Sequence, residues 1–149
     1  MDKIVKKYII ERYQDKKRLQ GYIDKTKSGF TKEEEIIAKQ YLKNKTVLDV
    51  GCGTGREALA LSKLGFNIMA IDISKEMIAN AKKLIQEENI KIEECDILSY
   101  ESSCFDNIIF FNNIFEQIPT EEGRIIANLL NFGTFSTSFI EVKSEVFLS

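Results

Sequence analysis

Hydrophobic positions change their spacing several times along the chain, and each change marks an element. Ile4, Val5, Tyr8 and Ile9 share one helical face in an otherwise charged stretch, which predicts an amphipathic helix to about Leu19. Residues 21–30 read as a loop. Thr31 and Glu34 have capping-box spacing ahead of Ile36, Ile37 and Tyr41, predicting a second helix to about Leu42. Val47, Leu48 and Val50 form a short buried strand that runs into Gly51, Gly53 and Gly55, and Ala58, Leu59, Leu61 and Leu64 then line a helix stopped by Gly65. A second strand covers Phe66 to Ile71 and ends at Asp72. Ser74 caps a helix carrying Met77, Ile78, Ala81, Leu84 and Ile85 as far as about Glu88.

The later chain repeats the alternation. Ile90 to Cys95 is a third strand closing on Asp96, and residues 106–111 hold the apolar run expected of a central parallel strand covered on both faces. Pro119 and Thr120 open a helix bearing Ile125, Ile126, Leu129 and Leu130 and ended by Gly133. Residues 134–142 predict a fifth strand, and 145–148 a last extended piece. Strands alternating with helices of this length imply an α/β fold with a mainly parallel sheet joined by right-handed crossovers. Ligands of such sheets bind beyond the carboxyl ends of the strands. Asp49, Asp72, Asp96 and Asn112 all lie at or beside those ends.

Composition narrows the class. At 149 residues and 44% hydrophobic content the expectation is a single domain, with residues 1–45 as an N-terminal helical or lid segment and 46–149 as the core. The formal charge of −2 comes from basic and acidic residues read as well mixed, so no nucleic-acid partner is expected. Cys52, Cys95 and Cys104 are odd in number and widely spaced, and there is no histidine, which leaves no familiar zinc set. The N-terminus alternates charge with apolar residues and no apolar run approaches membrane-spanning length, so the expected location is cytoplasmic, with no membrane partner.

The glycine turn leaves two ligands to compare. A nicotinamide or flavin dinucleotide needs a third fingerprint glycine at position 56, where the chain has Arg56. Asp49 lies two residues before Gly51, and a carboxylate there repels a pyrophosphate but attracts the ammonium group of an amino-acid ligand. S-adenosylmethionine offers that ammonium, a carboxylate for the helix start, and a ribose whose vicinal hydroxyls suit Asp72.

Val47 to Gly55, an apolar strand followed by Asp-x-Gly-x-Gly-x-Gly, resembles motif I of the class I S-adenosylmethionine-dependent methyltransferases. The resemblance spans roughly residues 31–130 and includes Phe105-Asp106-Asn107-Ile108-Ile109 at the fourth strand. It implies a three-layer α/β/α Rossmann-like fold with about five strands in the order 3-2-1-4-5. It further implies a cofactor site at Asp49, Gly51, Cys52, Gly53, Gly55 and Asn112, in which Asp72 holds the ribose, Ile73 and Met77 pack near the adenine, and Asp96, with Ile97, faces its amino group. The product would be S-adenosylhomocysteine.

For the chemistry, the resemblance implies in-line displacement at the sulfonium methyl, with alignment and a dry site supplied by the protein. Glu116 is the candidate to take a proton from an acceptor, ahead of a tyrosine. The chain reads Asn112-Asn113-Ile114-Phe115 where methyltransferases of DNA bases or amide nitrogens carry an Asn-Pro-Pro-Tyr type sequence, so the expected acceptor is a small molecule. The family's last antiparallel hairpin is expected to be missing or reduced, which leaves apolar residues near a bare edge strand and suggests a homodimer through that edge. Two other readings stay open: a truncated relative that binds the cofactor without efficient transfer, and a dinucleotide-dependent oxidoreductase.

Overall fold

The computed structural model describes residues 3–100, 105–111 and 138–141. The N-terminal segment is two helices where one is predicted: α1 (Lys3–Gln14) stops at Asp15, whose carboxylate accepts the Arg18 amide at 2.8 Å and so N-caps α2 (Lys16–Lys25). The expected loop from Gly21 is therefore helical as far as Lys25 and continues as a single 3-10 turn, Thr26–Ser28. An exposed glycine inside a helix costs only about 1 kcal/mol relative to alanine, and the Asp15 cap offsets it. Helix α3 (Lys32–Tyr41) starts with both halves of the predicted capping box: Thr31 Oγ1 accepts the Glu34 amide and Glu34 Oε2 accepts the Thr31 amide.

Five parallel strands make the sheet: β1 (Thr46–Val50), β2 (Asn67–Asp72), β3 (Ile90–Glu94), β4 (Asn107–Phe110) and β5 (Ser138–Glu141). Their order is β3-β2-β1-β4-β5, as the resemblance implies. Helix α4 (Arg56–Lys63) follows β1 and α5 (Lys75–Leu84) follows β2. Helix α5 ends short of the expected Glu88, because Asn89 is claimed by the preceding loop: its Nδ2 donates to the Phe66 carbonyl at 2.7 Å, and its Oδ1 accepts from Ser62 Oγ at 2.7 Å. The predicted helix after Pro119 and the extended piece at 145–148 lie outside the described residues, as do Asn112 and Glu116.

Alternate strand residues serve opposite faces of the sheet. Val47, Ile68, Ala70, Ile109 and Phe111 join Ala58, Leu61, Ile78 and Ile85 in one core. Leu48, Val50, Ile71, Ile108 and Phe110 form the other with Ile97. The Phe110–Phe111 pair is core, as the apolar run suggests, with Phe111 stacked on Phe30 at 5.7 Å.

The end of the sheet opposite the strands' carboxyl ends is tied by two polar residues ahead of and within β4. The Asp106 carboxylate accepts from the Thr46 amide and hydroxyl and from the Lys45 amide. Fully buried Asn107 accepts the Lys43 amide and donates to the carbonyls of Lys43 and Thr46. These bonds fix where β1 enters the sheet, and hence where its far end delivers the glycine turn. Asn107→Ala leaves the Lys43 and Thr46 groups without their partner and is expected to cost about 2 kcal/mol, lowering the thermal midpoint by about 6 °C. Thermal unfolding followed by circular dichroism checks it.

Candidate functional site

Gly51, Gly53 and Gly55 all have positive φ, at 73°, 56° and 87°. Two of them show the two uses of a glycine. A Cβ on Gly55 would run into the Ile85 side chain, so this glycine lets α4 pack closely; a Cβ on Gly53 would meet nothing within 4 Å, so this side of the turn is open to a ligand. The amides of Gly51 and Cys52 both donate to the Ile71 carbonyl, that of Gly53 to Asp72 Oδ2, and that of Gly55 to the Cys52 carbonyl. Four amides of the turn are thus used within the protein, so it differs from an open phosphate cradle. Cys52 is buried in the core, where burial pushes its thiol pKa well above the ordinary range, and the thiol donates to the Gly53 carbonyl at 3.7 Å.

What the site has in excess is negative charge. Asp49 is 1% exposed, and its Oδ2 has no hydrogen-bond partner among the described residues. Burial raises its pKa well above the ordinary value of 3.8, and the neighbouring Glu57 and Asp72 raise it further against the pull of Arg56. Asp72 is also buried: its Oδ1 accepts the Ser74 amide at 2.8 Å and its Oδ2 the Gly53 amide at 2.9 Å. Burial raises its pKa, while the hydrogen bonds from Ser74, Gly53 and Ile73 oppose the rise. Capping the turn leaves lone pairs on both oxygens, so the turn-cap and ligand roles are compatible.

Arg56 is the cation of this cluster. Its guanidinium donates through two nitrogens to the two oxygens of Glu34, at 2.8 and 2.7 Å, and also to Glu57 at 2.6 Å and to the Gly29 carbonyl at 2.9 Å. Burial opposes its charge, but the two carboxylates outweigh burial and raise its pKa further. Burial would likewise raise Glu34, and the Arg56 and Thr31 hydrogen bonds bring it below the ordinary range instead. With Arg56 held by Glu34 and Glu57, Asp49 is left facing two further acids without a counter-ion of its own.

The N-terminal helices reach over the same end of the sheet. Lys6 of α1 pairs with Asp96 at 3.6 Å, and Gln14 Nε2 donates to Glu76 at the start of α5 at 3.4 Å. Between these contacts Tyr13 packs edge-on against Tyr22 at 5.8 Å. The hydroxyls of Thr26 and Thr54 are 2.7 Å apart, and both lie near the Tyr22 carbonyl, at 3.0 and 3.1 Å. Asp96 also accepts the Leu98 amide, which opens the short turn carrying Ile97 into the core. Met77 is fully buried and Ile73 half-buried, next to Asp72 along the chain. The structure therefore brings Asp49, the glycine turn and Asp72 into one cluster. Lys6, Thr26, Glu34 and Thr54 are additions the sequence reading did not single out for the site, although the seven-residue spacing of Lys6 and Tyr13 places both on one helical face.

The residues fit a bound ammonium group, because a buried carboxylate oxygen without a partner is what such a group would satisfy. Among the described residues no group of three or more His, Cys, Asp or Glu side chains is placed to hold a metal. Asp49 has a raised pKa in the folded state, so the empty protein loses stability as pH rises from the unfolded carboxyl value toward the folded one. Asp49→Asn removes that loss. At neutral pH it is expected to raise the thermal midpoint of the unliganded protein by about 3 °C for each kcal/mol relieved, and to flatten the acid side of the stability profile. Thermal unfolding of both forms between pH 4 and pH 8, about the range where carboxyl groups of raised pKa titrate, measures this.

Comparison with known proteins agrees with this geometry. Residues 47–132, more than half of the chain, match the methyltransferase domain family. The ribosomal protein L11 methyltransferase of Thermotoga petrophila is 34% identical over 92 residues, covering 59% of this chain and 34% of that protein. The ubiquinone biosynthesis O-methyltransferase of Coxiella burnetii is 35% identical over 91 residues, covering 58% and 38%. The chain thus spans little more than a third of the length of either relative. In structure, magnesium protoporphyrin IX methyltransferase from Synechocystis PCC 6803, solved with bound S-adenosylmethionine, shares the fold with a TM-score of 0.60 at 18% identity over 86% of this chain and 71% of that one. A matched sequence family, a shared sheet order and a glycine turn set beside a buried acid lead to one statement: the chain belongs to the methyltransferase domain family.

Proposed function

We propose that this protein binds S-adenosylmethionine at the turn between β1 and α4 and takes part in transfer of its methyl group to a small-molecule acceptor. The observation that carries the reading is the unpartnered, fully buried oxygen of Asp49, beside Glu57 and Asp72. Three acids against one committed guanidinium favour an ammonium-bearing ligand, and the same crowding disfavours the pyrophosphate of a dinucleotide.

In this reading Asp49 takes the ammonium group and Gly51 to Gly55 line the ligand's path along the backbone. Asp72 holds the ribose hydroxyls with its remaining lone pairs, and Asp96 faces the adenine amino group. Ile73, Met77 and Ile97 supply apolar walls, Asn112 belongs to the cofactor set by its place in the sequence, and Glu116 is the candidate proton acceptor. When bound, the cofactor supplies a methyl group on a sulfonium, already activated for displacement. The chain's own residues then have to orient it, exclude water and accept a proton where the acceptor carries one.

The Asn112-Asn113-Ile114-Phe115 sequence supports a small-molecule acceptor over a DNA base or amide nitrogen. The relatives named above are, by their names, a ribosomal protein L11 methyltransferase and an O-methyltransferase of ubiquinone biosynthesis, so membership in the family leaves the acceptor open. A second reading is a cofactor-binding module without efficient transfer, for which Asp49 and the glycine turn suffice and no proton acceptor is required. Pairing of two copies along the outer edge of β5 belongs to the proposal as well, and a monomer by light scattering at micromolar concentration would remove it.

Titration calorimetry tests the cofactor assignment. S-adenosylhomocysteine is expected to bind the wild-type chain, NAD to give no heat, and Asp49→Asn to weaken S-adenosylhomocysteine at least about tenfold through loss of the charge pair. No binding of S-adenosylhomocysteine or S-adenosylmethionine to the wild type would reject both readings. Methyl transfer from S-adenosylmethionine in a small-molecule acceptor screen then separates the enzyme from the binding module.

A further inference from the structure

Helix α1 is fixed over the site at two points. Lys6 is paired with Asp96 at the end of β3 and Gln14 is bonded to Glu76 just after β2, so the helix crosses the carboxyl ends of both strands. Lys6 and Tyr13 are seven residues apart, two helical turns, and so lie on the same face, with Ile9 and Ile10 half-buried between them. The outer face carries Tyr8, which is 63% exposed. Tyr13 is held by its ring contact with Tyr22, and the Tyr22 carbonyl meets Thr54 of the glycine turn. Tyr13 is thus bracketed by Thr54 and Glu76, which lie next to the Gly53 and Ser74 amides that Asp72 accepts. It is a hydroxyl at neutral pH, its pKa pushed up to about 12 by burial, then by Tyr22, with which it shares a side-chain hydrogen bond, and by Asp72.

We propose that α1 is the roof of the nucleoside site, with the Tyr13 hydroxyl joining Asp72 at the ribose and the Lys6 ammonium latching Asp96 until the adenine amino group displaces it. This rests on the cofactor reading above and adds two side chains to it. The energetics are compatible with a latch that opens. Lys6 is partly exposed, and such pairs contribute little because water solvates the separated charges well. Tyr13, by contrast, is enclosed and would make a bond to a group that Asp72 already orients.

The test compares S-adenosylhomocysteine with its 2′,3′-dideoxy analogue in calorimetry on the full chain. Wild type, Tyr13→Phe, Tyr8→Phe and Lys6→Gln are measured with both ligands. Tyr13→Phe keeps the ring contact with Tyr22 and is expected to weaken S-adenosylhomocysteine about fivefold, the effect of one hydrogen bond, with Tyr8→Phe unchanged. Against the dideoxy analogue the Tyr13→Phe deficit should vanish. Equal losses for the two ligands, or no loss for either, overturn the ribose contact. Lys6→Gln leaves the Tyr13–Tyr22 contact in place and should bind S-adenosylhomocysteine at least as tightly as wild type, and weaker binding overturns the latch. Failure of the wild type to bind at all would instead reject the cofactor reading on which the roof depends, and is distinguished by that first titration.

Discussion

The constraint on which the site depends is the burial of Asp49 at the end of the central strand. A carboxylate removed from water with one oxygen unpartnered is a local defect in an otherwise satisfied core. Nothing in the fold of β1 requires an acid there, since Val47, Leu48 and Val50 already supply the strand's packing. The surroundings give little relief: Arg56, the cation that acts on Asp49 among the described residues, is bonded to Glu34, Glu57 and the Gly29 carbonyl. In the proposed reading a ligand ammonium group supplies the missing partner, and the glycine turn provides the approach.

Arg56 then links the two parts of the chain described here. Position 56 lacks the glycine of a dinucleotide fingerprint, and in the fold its long side chain reaches back to α3 and to the loop before it. The Thr26 and Thr54 hydroxyls make a second tie between the N-terminal helices and the turn. The capping box of α3 takes part as well, because Glu34 serves both the helix start and the guanidinium. Helix capping, lid attachment and the charge balance of the site therefore share side chains, and a change in one is felt in the others.

The sheet and its order were legible because each strand is bounded by an abrupt change in hydrophobic spacing, and because a parallel α/β pattern has few permitted connections. Asp49, Asp72 and Asp96 were legible because strand ends are marked by acids in a predictable place. The N-terminal region was read less well. Gly21 was taken for the start of a loop when the Asp15 cap carries the helix past it, and Arg56 was weighed only as a missing glycine. Both errors share a cause: local pattern shows what a residue disfavours, whereas the bond that decides its role involves a residue 6 or 22 positions away in the chain. The use of the turn's amides by Ile71 and Asp72 was equally invisible, since it depends on how β1 and β2 lie side by side.

The attachment of Arg56 to Glu34 bears on how such a domain can be reshaped over evolutionary time. The glycine motif alone is not a transferable module. A chain given residues 46–72 on a different N-terminal segment would inherit Gly51, Gly53 and Gly55 together with a guanidinium that has lost its bidentate acceptor and a Thr54 hydroxyl that has lost Thr26. Freed from Glu34, Arg56 would keep Glu57 alone and could turn toward Asp49. The unit of inheritance is thus the helical segment and the turn together.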